Sequence, residues 1–151
     1  MRFDRSDDRL GAKVHGYNAH VDSSRLQEIA KCHGILLLLQ FGSTVTGHAR
    51  GDSDLDLAVL LERVPEDLGR YGELASDLQV LAPDRKVDLA LINRADPLFL
   101  KQITEHCALL YGPPRRLHEL KMYAFKRYQD HRKYLALERE YVASTLRDAT
   151  R

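Results

Sequence analysis

The chain is short of the residues that staple, anchor or break a fold. It has no tryptophan and only two cysteines, Cys32 and Cys107, in 151 residues. They lie far apart with no paired-ligand spacing, which excludes a disulfide framework and fits packed thiols in a reducing cytoplasm. No apolar run nears the ~20 residues of a membrane span; the run Ile35–Leu39 is five residues long. No apolar stretch opens the chain, so secretion is not expected. An excess of one charge is also missing, since 23 Lys/Arg face 22 Asp/Glu for a net charge of +1. The whole chain therefore offers no electrostatic argument for nucleic-acid binding, and direct contact with nucleic acid is not expected. No internal repeat or low-complexity tract is visible.

What is present is the composition of one soluble domain, 44% hydrophobic and 30% charged. The charge is spread unevenly, because residues 113–151 hold ten Lys/Arg against five Asp/Glu. Residues 1–21 are polar and broken by Gly11 and Gly16, as expected of a flexible arm. Ser23 or Ser24 caps a helix to Cys32, and Gly34 ends it. Ile35–Phe41 reads as a strand buried on both faces, and Gly42–Gly47 as a small-residue turn that opens a helical turn. Asp54–Leu61 reads as a strand whose first end meets solvent. Pro65 starts a helix to about Leu81, Val87–Ile92 is a third strand, and Asp96 with Pro97 begins a helix to about Leu110. Gly112-Pro113-Pro114 punctuates, and one long helix follows. Along it Leu117, Leu120, Ala124, Tyr128, Leu135 and Val142 keep helical spacing. The order α-β-α-β-α-β-α-α predicts an α/β (α+β) fold: an arm at 1–21, a core at 22–111 and a helical extension at 112–151.

The chemistry concentrates at two places. Asp54 and Asp56 are two apart at a strand start, so both carboxylates point to one face. Carboxylates held that close repel unless a cation sits between them, and Mg²⁺ combines one or two carboxylates with waters and phosphate oxygens. Gly42-Ser43 supplies the other half, since glycine allows close backbone approach and amides at a turn point at phosphate. Ser53, beside the acids, joins this nucleotide-binding set. Asp88 is an isolated acid in an apolar run, costly to bury without a partner. If its strand adjoins that of Asp54 and Asp56, it joins the metal cluster or takes a proton from the attacking hydroxyl. Arg50, Lys86 and Arg94 are candidates to grip a triphosphate.

Gly42-Ser43-x₁₀-Asp54-Leu55-Asp56 resembles the signature of the DNA polymerase beta nucleotidyltransferase superfamily. The strings Phe41–Gly47 and Ser53–Leu57 resemble its minimal branch, and Asp88 falls where that family has its third carboxylate. The resemblance covers about residues 22–111 and implies a small mixed-sheet core with Mg²⁺ as cofactor and ATP as substrate. The C-terminal helix, with Tyr123, Phe125, Tyr128 and Asp130, resembles that of MntA-type antitoxins, a looser match. The resemblance then implies transfer of AMP from ATP to a tyrosine of a HEPN ribonuclease toxin, blocking its RNA-cleaving site. Arg9-x₅-His15-x-Tyr17 formally fits the HEPN pattern but lies in a glycine-broken arm, so the toxin is expected as a separate chain.

The competing readings are a solvated turn at Gly-Asp-Ser-Asp and a salt-bridged Asp88. At the level of function they are an antitoxin acting by contact alone, or a transferase for a small molecule such as an aminoglycoside. The remaining histidines show no paired ligand spacing. Tyr123, Phe125, Tyr128, Tyr134 and Tyr141 spread around more than one helical face, more than a 90-residue core covers. They favour a partner surface, for the toxin or for a second copy of the chain.

Overall fold

Leucine fills the first strand because both of its faces are covered. The computed structural model describes residues 23–47 and 53–149, so the arm, Arg9, His15, Tyr17 and Arg50 lie outside the described residues. Helix α1 (Ser23–His33) is followed by Gly34 at φ 64° and strand β1 (Ile35–Gln40). A helical turn, α2 (Ser43–Thr46), precedes β2 (Leu55–Leu61). Helix α3 (Leu68–Leu78) tightens into a 3-10 turn at Gln79–Leu81 and leads to β3 (Val87–Leu91). Helix α4 (Pro97–Glu105), β4 (Ala108–Tyr111) and α5 (Pro114–Ala149) complete the chain.

The four strands form one mixed sheet in the order β3-β2-β1-β4. Strand β1 is antiparallel to β2 and β4, whereas β2 and β3 are parallel and joined through α3. Leu57, Val59 and Leu89 face α1 and α3, where they meet Leu26, Ile29, Leu74 and Leu78. Leu37, Leu39 and Ala58 face the other way, onto Leu100 and Ile103 of α4 and Leu120 and Ala124 of α5. Each face is thus roofed by two helices, and the alternation of side chains decides which residue meets which.

Two helix boundaries differ from expectation. The helix expected to start at Pro65 begins three residues later, because the Asp67 side chain caps it by accepting from the Arg70 amide at 2.8 Å. The helix expected to run to Leu110 stops at Glu105, and Ala108–Tyr111 pairs with β1 as a fourth strand. A four-residue apolar run carries no periodicity to tell strand from helix. The decisive fact is tertiary: without β4 the leucine-rich β1 would be a bare edge. Asp96 caps α4 as expected, accepting from the Leu98 and Phe99 amides at 3.0 Å.

Helix α5 has 36 residues and is therefore about 54 Å long, well beyond the reach of the sheet. Leu117, Leu120 and Ala124 pack on the core, and Tyr128 is half-buried beside Lys101. Farther on, Tyr134 and Tyr141 are exposed at 71% and 72%. No helix among the described residues is long and apolar enough to cross a membrane. Cys32 is exposed and Cys107 half-buried, so only one of the two thiols is packed as expected.

Between β4 and α5, Gly112 adopts φ 105°, and a Cβ there would strike the Leu36 carbonyl, with Leu37 Cδ2 at 2.8 Å. Gly112→Ala is expected to destabilise the fold by about 1–3 kcal/mol. Urea unfolding checks this, and unchanged stability would mean that β4 and α5 are not locked together here.

Candidate active site

The site forms at the end of the sheet where β1 finishes and β2 and β3 begin. Alternation puts Asp56 on the α4/α5 face, in line with Ala58 and Leu60, but beyond the reach of those helices. In the parallel ladder Asp56 is the register partner of Asp88. Two carboxylates therefore stand side by side on one face of adjacent strands. Asp54 sits exposed two residues ahead of Asp56, and half-buried Ser53 precedes it.

The β1–α2 turn comes to the same point. The Phe41 amide donates to the Asp56 carbonyl at 3.1 Å, which fixes the turn against β2. Gly42 has φ 78° and lies so close to Asp56 that a Cβ would be driven into the carboxylate, 3.0 Å from its Cγ. Its carbonyl accepts from the Val45 and Thr46 amides at 3.2 and 3.3 Å, starting the helical turn at Ser43. Gln40 supports the turn from beneath: it is fully buried, and its Nε2 donates to Thr44 Oγ1 at 3.0 Å. Gln40 and Thr44 were not among the residues singled out by motif. Gln40 had a signal nonetheless, as the lone polar residue ending an apolar strand.

The electrostatics follow from this crowding. Burial raises the Asp56 pKa above 3.8, and the charges of Asp88 and then Asp54 raise it further. Tyr71 of α3 is raised by burial and by Asp88, which places it near the same acid. Among the described residues no Lys, Arg or His forms an ion pair with any of the three carboxylates. Lys86 is exposed just ahead of β3, its carbonyl accepting from the Leu55 amide at 2.9 Å. Arg94 lies past the other end of β3, at the opposite end of the strand from Asp88.

Asp88 departs from the expectation of a buried acid, because it is exposed. Strand β3 is a sheet edge, and its first residues lie where no helix covers that face. The three carboxylates do not converge as a ready-made cage, since no three His, Cys, Asp or Glu among the described residues are grouped to hold a metal. Their hard oxygens on an open face do suit a divalent cation that shares its shell with phosphate oxygens and water. A broad cleft, lined by Lys31, His33, Glu62, Arg63, Arg70 and Glu73, opens at the far end of β2 and touches none of them.

Residues 24–116 match the polymerase beta nucleotidyltransferase domain family. The chain belongs to that family. The match spans α1 to the first turn of α5, so it contains every element that shapes the site. The nucleotidyltransferase also resembles solved structures. One is a toxin–antitoxin with AMP-PNP, at 23% identity and TM-score 0.63, covering 83% of this chain and 98% of that one. Another is a tri-AMPylated HEPN toxin of Shewanella oneidensis in complex with its MNT antitoxin, at 22% identity and TM-score 0.57, covering 82% and 93%. A MntA–HepT toxin–antitoxin matches at 22% identity and TM-score 0.57, covering 82% and 94%. At such identity these likenesses establish the fold. A comparison with curated proteins finds no match.

In the metal-free nucleotidyltransferase a raised Asp56 pKa means that the folded state binds its proton more tightly than the unfolded state does. Stability is therefore lost as pH rises from 3.8 through the raised value. Asp56→Asn is expected to melt above wild type at neutral pH in chelator, the gap closing near pH ~4. Thermal melts across that range check the sign, and a variant that melts lower throughout would contradict it.

Proposed function

We propose that this nucleotidyltransferase is a Mg²⁺-dependent protein adenylyltransferase that acts as the antitoxin of a HEPN ribonuclease toxin. One observation carries the reading: the Gly42-Ser43 turn packs directly against Asp56, with Asp88 in register beside it. A phosphate-binding turn and a carboxylate cluster in contact are what nucleotidyl transfer needs at one phosphorus atom. The structural neighbours, one a complex with AMP-PNP and another holding an AMPylated HEPN toxin, favour ATP and a protein acceptor.

In this mechanism the amides and hydroxyl at Gly42-Ser43, with Ser53 beside the acids, hold the nucleotide's phosphates. Asp54, Asp56 and Asp88 would supply carboxylate oxygens to Mg²⁺, which when bound would neutralise charge developing in the transfer. Asp88, exposed at the sheet edge, is also placed to accept the proton of an incoming tyrosine hydroxyl. The tyrosine oxygen bonds to the α-phosphorus as the bond to pyrophosphate breaks, leaving AMP on the toxin. Among the described residues Lys86 is a candidate cation at this end of the sheet, and Arg50 stays a candidate outside them. The tyrosines of α5 that its own domain leaves exposed, Tyr123, Tyr134 and Tyr141, form the surface on which the toxin docks.

Mixing the chain with ATP, Mg²⁺ and a cognate HEPN toxin is expected to raise the toxin's mass in whole units of AMP. Asp54→Ala is expected to slow that transfer on the order of a thousandfold, a barrier of about 4 kcal/mol. Intact-mass spectrometry reads both. A partner that gains no mass, yet is silenced equally by wild type and Asp54→Ala, would mean neutralisation by contact alone.

A further inference from the structure

Strand β3 carries Asp88 at the edge of the sheet, where one side of the backbone has no neighbouring strand. The Leu55 amide donates to the Lys86 carbonyl, so the even-numbered residues of β3 make the ladder to β2. Val87 and Leu89, on either side of Asp88, therefore turn their backbone groups outward. Both are met by side chains from the α3 segment. The Val87 amide donates to Gln79 Oε1 at 3.2 Å, and the Tyr71 hydroxyl donates to the Leu89 carbonyl at 2.6 Å. Gln79 also ties down the approach to β3, its Nε2 donating to the Ala82 and Arg85 carbonyls at 2.6 and 2.5 Å.

We propose that Tyr71 and Gln79 are positioning residues, a two-point clamp that stands in for the missing strand and holds Asp88 opposite Asp56. This rests on the reading of Asp88 as a metal carboxylate. The physical reason is that Asp88 has like charge for its neighbour and sits on an edge strand only five residues long. Left to itself, such an edge relieves the repulsion by moving away or fraying. A hydrogen bond to one outward-facing group of each residue opposes that movement without touching the carboxylate. Outer partners of this kind change metal affinity when lost, even though they bind no metal. A purely structural role, as caps on an exposed edge, predicts a different result.

The test uses the full chain with a non-hydrolysable ATP analogue and Mn²⁺ as the probe, followed by electron paramagnetic resonance. Tyr71→Phe, which removes one oxygen, and Gln79→Leu are each expected to weaken Mn²⁺ binding about tenfold. The same changes made on Asp88→Asn are expected to weaken it no further, because the group they position is gone. Amide exchange at Val87–Leu89 should quicken in both variants. Wild-type Mn²⁺ affinity in both variants, with only a lowered melting temperature, would overturn the clamp, as would losses that add in full to that of Asp88→Asn. Asp88→Asn binding Mn²⁺ as tightly as wild type would instead overturn the reading of Asp88, and the clamp's purpose with it.

Discussion

Asp56 and Asp88 stand opposite each other on parallel strands, and like charges so placed repel by up to about 1 kcal/mol. The rest of the strand pair decides that they stay. Leu55, Leu57 and Val59 are buried on one face and Ala58 on the other. A slip of one residue would move that whole set to the wrong side. Each buried leucine is worth about 1.5–3 kcal/mol, so the core easily outweighs the repulsion. Hydrophobic burial is thus what holds the two acids together, and in the proposed function a bound cation would offset their repulsion.

The ten-residue interval between Gly42-Ser43 and Asp54 has the same physical root. Strands β1 and β2 are antiparallel neighbours, so the end of one returns beside the start of the other. The Gly42-Ser43 turn and Asp56 then meet, and Gly42 is the residue that lets them, since any Cβ there strikes the Asp56 carboxylate. Motif and fold are therefore one constraint seen twice: the turn must be small because the acid is next to it.

The elements with a strong local signal were legible in the sequence. The glycine-bounded leucine run, the acid–apolar alternation at Asp54 and the Asp96-Pro97 cap each carry their own chemistry, and each forms where expected. The features missed depend on neighbours distant in sequence. Strand β4 is four apolar residues whose state is set by the open side of β1. The exposure of Asp88 follows from β3 being an edge, which a single apolar run does not reveal. Tyr71 and Gln79 look like ordinary residues of an amphipathic helix until β3 is laid beside them. The α5 spacing was legible, and so was the surplus of aromatics beyond what the core covers; where the core ends was not: the stripe that packs at Leu117 to Ala124 continues to Val142, of which 49% remains exposed.

In the proposed function the site specifies the reaction and the long helix the acceptor. The first is tested most directly by a crystal structure of the chain with Mn²⁺ and AMP-PNP, read by anomalous scattering. The account predicts a peak between the Asp54 and Asp56 carboxylates and the nucleotide's phosphates, with those phosphates on the Gly42-Ser43 turn and Asp88 closing from the edge strand. A nucleotide in the cleft of Arg63 and Arg70 at the far end of β2, or phosphates bound with no metal at the carboxylates, would contradict it.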